Sequence, residues 1–187
     1  MRRRELLAGL GSIGVLGGAG LVVMEGNPVS RPRESDGRDA ESTVAADSES
    51  VRIETIDAPG SKDGAVEIPA PNRPTFVDFF GTWCPPCVEQ MPALAAANER
   101  IDDSVLFVSV TTEAVGRSVS KSELVDWWDT HDGDWLLGVD RRAELAARYL
   151  AGGYPSAVAI DASGRVQWSE AGIKTADQLV AGIRRAL

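Results

Sequence analysis

The only two cysteines of this 187-residue chain, Cys84 and Cys87, enclose two prolines at the point where a short apolar run is followed by a helical pattern. A disulfide that closes so small a loop contributes only about 2 kcal/mol, so it would be a weak structural link. The spacing suits a redox couple instead. The first sulfur would lie at a helix N-terminus, where unpaired amides favour a thiolate, and the second would lie one turn further on. The pattern therefore predicts reversible thiol–disulfide exchange.

Strand and helix patterns alternate through most of the chain, which predicts an α/β domain. Residues 76–80 and 105–110 are short apolar runs typical of strands covered on both faces. Capping residues predict the start of two helices, at Ser120 and at Thr175. Weaker patterns predict strands over residues 51–56, 65–68, 136–139, 156–160 and 166–168, and a helix over residues 143–150.

Apolar spacing predicts which side chains two of the helices bury. The helix after the cysteines is expected over residues 87–101, with a kink at Pro92 because proline removes a backbone donor. Its predicted inner face consists of Val88, Met91, Leu94, Ala95 and Asn98. The last helix is expected to bury Leu179, Val180, Ile183 and Leu187.

The first fifty residues differ in composition from the rest. Residues 1–24 combine three arginines with a charge-poor run, which predicts an export signal or membrane anchor. Arg3 and Arg4 begin a segment similar to the twin-arginine export motif, and the positive flank predicts that the N-terminus stays inside. A retained anchor is favoured, because no clear cleavage site is visible. Residues 25–50 predict a disordered acidic tether, and residues 51–187 predict the folded domain, which would lie outside the cytoplasm.

Charge restricts the classes of partner. The chain has 28 acidic and 19 basic side chains and a net charge of −9. Its arginines are scattered and its lysines number three, so no basic stripe is available to neutralise phosphates, and nucleic acid is not expected as a partner. The acidic, lysine-poor surface is similar to that of proteins from salt-loving organisms, where ionic strength screens self-repulsion.

Residues 76–87 (Phe-Val-Asp-Phe-Phe-Gly-Thr-Trp-Cys-Pro-Pro-Cys) resemble the active-site strand and loop of the thioredoxin family. Tyr154 and Pro155, directly before the predicted strand 156–160, match a second landmark of that family. The similarity covers roughly residues 75–187. It implies an α/β, thioredoxin-like fold: a central mixed sheet flanked by helices, with a helical insertion after the second core strand.

The paired prolines, an insertion with Trp127 and Trp128, and the N-terminal segment are most similar to the membrane-tethered TlpA/ResA-type branch. That resemblance implies an extracytoplasmic thiol–disulfide oxidoreductase, mainly a reductase, for example of apocytochrome c thiols in cytochrome c biogenesis. The implied partners are protein thiols and disulfides as substrates and an integral-membrane electron donor. We expect a monomer with no cofactor beyond its redox-active disulfide. If the pair rested in the oxidised form, the same residues would make an oxidase or isomerase.

The resemblance also assigns roles to individual residues. Asp78 matches the buried acid that accepts the proton of the second cysteine, and a carboxylate in so apolar a strand is costly unless it works or is paired. Pro155 would be a cis-proline packed against the disulfide, and the backbone of Tyr154 would pair with a substrate strand. Trp83 would cover the thiol and shape the docking surface.

Two metal chemistries compete with redox exchange. Structural zinc generally needs four nitrogen or sulfur ligands, and the chain offers two cysteines and one histidine, His131. A Sco-like copper-binding protein on a thioredoxin fold would require His131 to approach the cysteines. We expect His131 to be a solvated helix-end residue and no metal site to form. Trp127, Trp128 and Trp135 are expected to be packing residues.

Overall fold

The computed structural model describes residues 49–149 and 152–187. The predicted export signal or anchor and almost all of the predicted tether lie outside these residues. Within the described ranges, no helix is both long enough and apolar enough to cross a membrane. The elements follow in the order β1 (Val51–Thr55), β2 (Gly64–Ile68), β3 (Thr75–Phe80), α1 (Pro85–Asn98), β4 (Leu106–Thr111), α2 (Lys121–Thr130), β5 (Leu136–Val139), α3 (Glu144–Tyr149), β6 (Ser156–Ile160), β7 (Val166–Ala171) and α4 (Ala176–Arg184).

The seven strands of the described residues join one mixed sheet in the order β2-β1-β5-β4-β3-β6-β7. The three central strands β3, β4 and β5 are parallel to one another, and β6, β7, β1 and β2 pair antiparallel at the two sides. The buried central strands are the apolar runs that the sequence indicated, as expected for parallel strands with both faces covered. The thioredoxin-like fold class is confirmed, and α2 is the helical insertion after β4.

Strand alternation divides the core into two layers. Phe76 and Phe80 of β3 face one side, together with α1, α2 and α4, whereas Val77 and Phe79 face the opposite side, together with α3. Because side chains alternate along a strand, Asp78 lies on the same face as Phe76 and Phe80. Both cysteines belong to that layer as well.

Helix starts agree with the capping signals. The Ser120 hydroxyl accepts the Glu123 amide hydrogen bond, and Glu123 accepts one from the Ser120 amide, so the capping box is complete. Thr175 forms the same arrangement with Gln178 at α4. Two of the four orphan amides at each helix start are thereby satisfied.

Two predicted burial faces were partly wrong. Helix α1 begins at Pro85, two residues earlier than expected, and buries Cys87, Gln90, Met91, Leu94 and Ala97. Val88, Ala95 and Asn98 are only half-buried. Leu187 is 66% exposed because α4 ends at Arg184, before its apolar stripe would reach that residue.

Candidate active site

The cysteine pair lies where β3 ends and α1 begins. Cys84 is the N-cap of α1, with extended backbone angles, and its sulfur accepts a hydrogen bond from the Cys87 amide at 3.3 Å. Pro85 and Pro86 occupy the first helical turn, where a missing N–H leaves no intrahelical bond unmade. The first sulfur is therefore held at the positive end of the helix dipole.

Cys84 and Cys87 form a disulfide, with their Cα atoms 5.3 Å apart. Both side chains are buried: Cys84 is 3% exposed and Cys87 is 1% exposed. Cys84 precedes the helix and follows Trp83, which is exposed, whereas Cys87 lies in the first turn of α1.

Asp78 is 1% exposed and occupies the sheet face that carries the cysteine layer. The Ser109 hydroxyl donates a hydrogen bond of 3.2 Å to Asp78 Oδ2, while Oδ1 is buried without a partner among the described residues. Burial raises the pKa of Asp78 to about 7, although the Ser109 hydrogen bond and the charge of Lys174 oppose this rise. A carboxyl group with such a pKa exchanges a proton near neutral pH.

Trp83 and Tyr154, which lie 71 positions apart in the sequence, meet beside the cysteines. Their rings are in edge contact, with centroids 5.6 Å apart, and Trp83 is 65% exposed. The Tyr154 hydroxyl hydrogen-bonds Thr112 at 2.6 Å. The peptide bond between Tyr154 and Pro155 is cis, which confirms the predicted geometry at that landmark.

Trp83 folds back over Gly81. A Cβ at Gly81 would approach the Trp83 indole ring to 2.8 Å, closer than packed atoms tolerate. A side chain at this position would therefore displace the Trp83 ring from its place over Gly81. The result is an exposed aromatic surface directly beside Cys84.

Glu113, which the sequence analysis did not single out, holds the active-site loop. Its carboxylate accepts hydrogen bonds from the Thr82 amide at 2.7 Å, the Thr82 hydroxyl at 2.9 Å and the Thr111 hydroxyl at 3.2 Å. An open groove of about 640 Å³ runs from this point between Trp83 and Trp127. The contact links residues 31 positions apart, so no local sequence signal could reveal it.

Gln90 is a second residue of this region that the sequence analysis did not single out. Its side chain is fully buried, and its amide group donates to the Lys174 carbonyl at 3.0 Å and accepts from the Lys174 amide at 2.7 Å. This pairing fixes the loop before α4 against α1. The Lys174 amine donates to the carbonyls of Glu170 and Gly172, and burial lowers its pKa while the charges of Asp78 and Glu170 oppose that shift.

The structure does not bring His131 into the cysteine site. His131 is the C-cap of α2, and its Nδ1 contacts the Trp127 carbonyl at 2.6 Å. Across residues 49–149 and 152–187, no three His, Cys, Asp or Glu side chains are grouped closely enough to hold a metal ion. Trp128 and Trp135 are buried in the core layer, as expected for packing residues, whereas Trp127 is half-buried and stacks on Phe80.

This fold and this site together define a class of protein. A thioredoxin-like sheet with a Cys-X-X-Cys disulfide at the start of its first helix is the framework of a thiol–disulfide oxidoreductase. Residues 57–187 match the family described as Redoxin. The chain therefore belongs to the Redoxin family, and it is a thiol–disulfide oxidoreductase of the ResA/StoA type.

Individual relatives agree with this assignment. The chain is 23% identical to the thiol–disulfide oxidoreductase ResA of Bacillus cereus over 180 residues, which is 96% of this chain and 95% of that protein. The crystal structure of StoA from Bacillus subtilis superimposes with a TM-score of 0.59 at 22% identity, over 71% of this chain and 94% of that one. The exposed lipoprotein thioredoxin of Streptococcus pneumoniae gives a TM-score of 0.58 at 19% identity, over 72% and 98%.

Proposed function

We propose that this protein reduces disulfides of protein substrates outside the cytoplasm, with Cys84 as the attacking thiolate and Cys87 as the resolving thiol. The observation that carries this proposal is the position of Cys84 as N-cap of α1, with its sulfur accepting the Cys87 amide hydrogen bond. A sulfur in that position gains most from the helix dipole when it is a thiolate, and the thiolate is the nucleophile in exchange.

Asp78 is proposed as the proton acceptor of the second step. In that step the Cys87 thiol must lose its proton before it attacks the mixed disulfide held on Cys84. A carboxyl group with a pKa of about 7 on the same face of the sheet suits this transfer near neutral pH. The chemistry needs no cofactor besides the disulfide itself.

Trp83 and Tyr154 are proposed to form the docking surface for the substrate. The exposed Trp83 ring offers apolar contact area beside Cys84. We propose that an extended substrate segment pairs with the backbone of Tyr154, whose ring contacts Trp83.

Location outside the cytoplasm is proposed from the N-terminal sequence. Residues 1–24 would act as an export signal or as an anchor, and the tether over residues 25–50 would raise the effective concentration of the domain near membrane partners. The alignment with ResA spans 96% of the chain, so it extends into this N-terminal region. A reductase outside the cytoplasm needs electrons from an integral-membrane donor, which we propose as its partner.

Cysteine variants test the exchange mechanism. Cys84→Ser should abolish insulin-disulfide reduction, and Cys87→Ser should retain attack but accumulate mixed disulfides, which mass spectrometry detects. His131→Ala is the matched control and should keep full turnover with no mixed disulfide. Full turnover by either cysteine variant would refute the mechanism.

The direction of electron flow is tested by the reduction potential of the Cys84–Cys87 pair. A value near that of thioredoxin, about −270 mV, supports a reductase, whereas a value near that of DsbA, about −120 mV, supports an oxidase.

Export is tested with substitutions in the N-terminal arginines. Replacing Arg3 and Arg4 by lysine should retain the protein in the cytoplasm, with Arg2→Lys as the control, and unaltered export of the double variant would exclude the twin-arginine route.

A further inference from the structure

The two oxygens of the Asp78 carboxylate have different surroundings. Oδ2 accepts the Ser109 hydroxyl at 3.2 Å. Oδ1 is buried and has no hydrogen-bond partner among the described residues. This asymmetry follows from sheet register, because Asp78 of β3 and Ser109 of β4 are direct partners in a parallel pair.

The Ser109 hydroxyl is itself held by a second buried donor. The Trp135 indole N–H donates to Ser109 Oγ at 2.9 Å. An indole nitrogen can only donate, so it occupies a lone pair of Ser109. The single hydroxyl hydrogen of Ser109 is then left to point at Asp78 Oδ2. Ser109 and Trp135 are both buried, so water does not compete for these groups.

We propose that Ser109 and Trp135 are positioning residues that direct the proton from Cys87 onto Oδ1 of Asp78. Oδ2 already accepts the Ser109 hydrogen, and the Trp135 donor fixes the direction of that bond, so Oδ2 is the less basic of the two oxygens, whereas the unpartnered Oδ1 is the more basic. A proton on Oδ1 disturbs neither bond. This inference rests on the proposed role of Asp78 as proton acceptor and adds the groups that set which oxygen reacts and at what pH.

In the resolving step, two electrons pass from the cysteine pair to the substrate disulfide. Cys87 gives its thiol proton to Asp78 Oδ1, and the resulting thiolate attacks Cys84 Sγ. The new Cys84–Cys87 bond forms while the bond between Cys84 and the substrate sulfur breaks. The substrate leaves as a thiolate and takes up a proton from solvent or from Asp78. The two cysteines are oxidised and the substrate disulfide is reduced.

Other titratable or charged groups around Asp78 could also change the pH dependence of the resolving step. On its own strand its same-face neighbours are Phe76 and Phe80, and its partner on β6 is Ala157, none of which titrates. The charged group that faces Asp78 is Lys174, from the segment between β7 and α4. Its amine is held by backbone carbonyls, and its backbone is fixed by Gln90, so it stays in place when Ser109 is changed.

The test uses the reduced full-length chain and a chromogenic aromatic disulfide. Attack by Cys84 releases a first coloured thiolate, and resolution by Cys87 releases a second, so the two steps are followed separately. The pH profile of the second phase is recorded for the native chain and for Ser109→Ala, Ser109→Thr and Trp135→Phe. The profile of the first phase serves as the internal control.

Ser109→Ala should move the midpoint of the second phase to higher pH by about one unit, since a lost hydrogen bond to a carboxylate raises its pKa by about that amount. The 3.2 Å contact is long for a hydroxyl donor, which argues against a larger shift. Trp135→Phe should shift it in the same direction by less, because Ser109 keeps its hydrogen but loses its orientation. Ser109→Thr should restore the native midpoint, and the first phase should not move.

The inference is overturned by a Ser109→Ala profile that superimposes on the native one, or by a loss of rate that is equal at every pH and is not rescued by threonine. If Ser109→Ala does not fold, the Trp135→Phe profile is used instead: a midpoint of the second phase at higher pH supports the inference, and a native midpoint overturns it. Asp78→Asn distinguishes a failure of this inference from a failure of the proposed function. If that variant keeps a native second-phase profile, Asp78 is not the acceptor and the proposed function itself loses this step.

Discussion

Replacing Asp78 by asparagine should stabilise the protein at neutral pH while it slows catalysis. Burial raises the pKa of this carboxyl group from its ordinary 3.8 to about 7 in the folded chain. Between those pH values the unfolded chain has lost the proton and the native chain keeps it, so the free energy of unfolding falls as pH rises. The difference corresponds to roughly 4 kcal/mol, present in full only above the folded pKa.

Urea unfolding of the oxidised native and Asp78→Asn chains at pH 5 and pH 8 measures this cost. At pH 5 a little over a third of this cost is already present, so from pH 5 to pH 8 the free energy of unfolding of the variant should rise by roughly 2 to 3 kcal/mol relative to that of the native chain. Comparing two pH values cancels packing changes, including any cost of an unpaired asparagine N–H. The disulfide stays closed, so the cysteines do not titrate.

Asp161→Asn is the matched control for this comparison. Hydrogen bonds from Ser163, Arg165 and Gln167 lower the pKa of Asp161, so its stabilising contribution is complete above its ordinary pKa of 3.8 and is lost only as pH falls below it. Its substitution should therefore destabilise the chain equally at pH 5 and pH 8. A difference for Asp78→Asn that is also constant between the two pH values would refute the reasoning about burial of this carboxyl group.

Three further substitutions test packing and loop contacts by denaturant unfolding. Gly182→Ala should lower the free energy of unfolding by about 1 kcal/mol despite its better helix propensity, because the new Cβ would lie 2.5 Å from the Trp168 ring; a stabilised variant would contradict this. Glu113→Ala should cost about 2 kcal/mol, because the Thr82 amide and hydroxyl lose a charged acceptor, and Glu113→Gln should cost less. Ser120→Ala should cost about 1 kcal/mol and Ser120→Gly only a few tenths, and equal losses would exclude the cap as the cause.

Local patterns were sufficient for the elements that build the site. The apolar run of β3, the prolines of the first turn of α1 and the capping boxes of α2 and α4 each act over a few residues, so the sequence displays them directly. The cis bond before Pro155 was predicted from family resemblance, and nothing in the local sequence requires it.

Contacts between distant segments could not be predicted in this way. Glu113 reaches Thr82 only because β3 and β4 run parallel and end at the same edge of the sheet. Gln90 was left out of the predicted inner face of α1 because that face was read from apolar spacing alone. Gln90 can be buried because both ends of its side-chain amide form hydrogen bonds with the Lys174 backbone, a contact between distant segments.

Gln90 and Asp78 differ in how far their buried polar atoms are satisfied. Both are buried in the layer around the cysteines, and native proteins pair nearly all such groups because an unpaired one is costly. Gln90 has partners at both ends and fixes a loop. Asp78 Oδ1 is the single buried side-chain oxygen or nitrogen without a partner within the described ranges. Supplying it with a donor would stabilise the fold, but it would also occupy the atom that we propose takes the proton from Cys87. The absence of this hydrogen bond therefore costs stability, and it leaves Oδ1 open for the proton transfer that we propose.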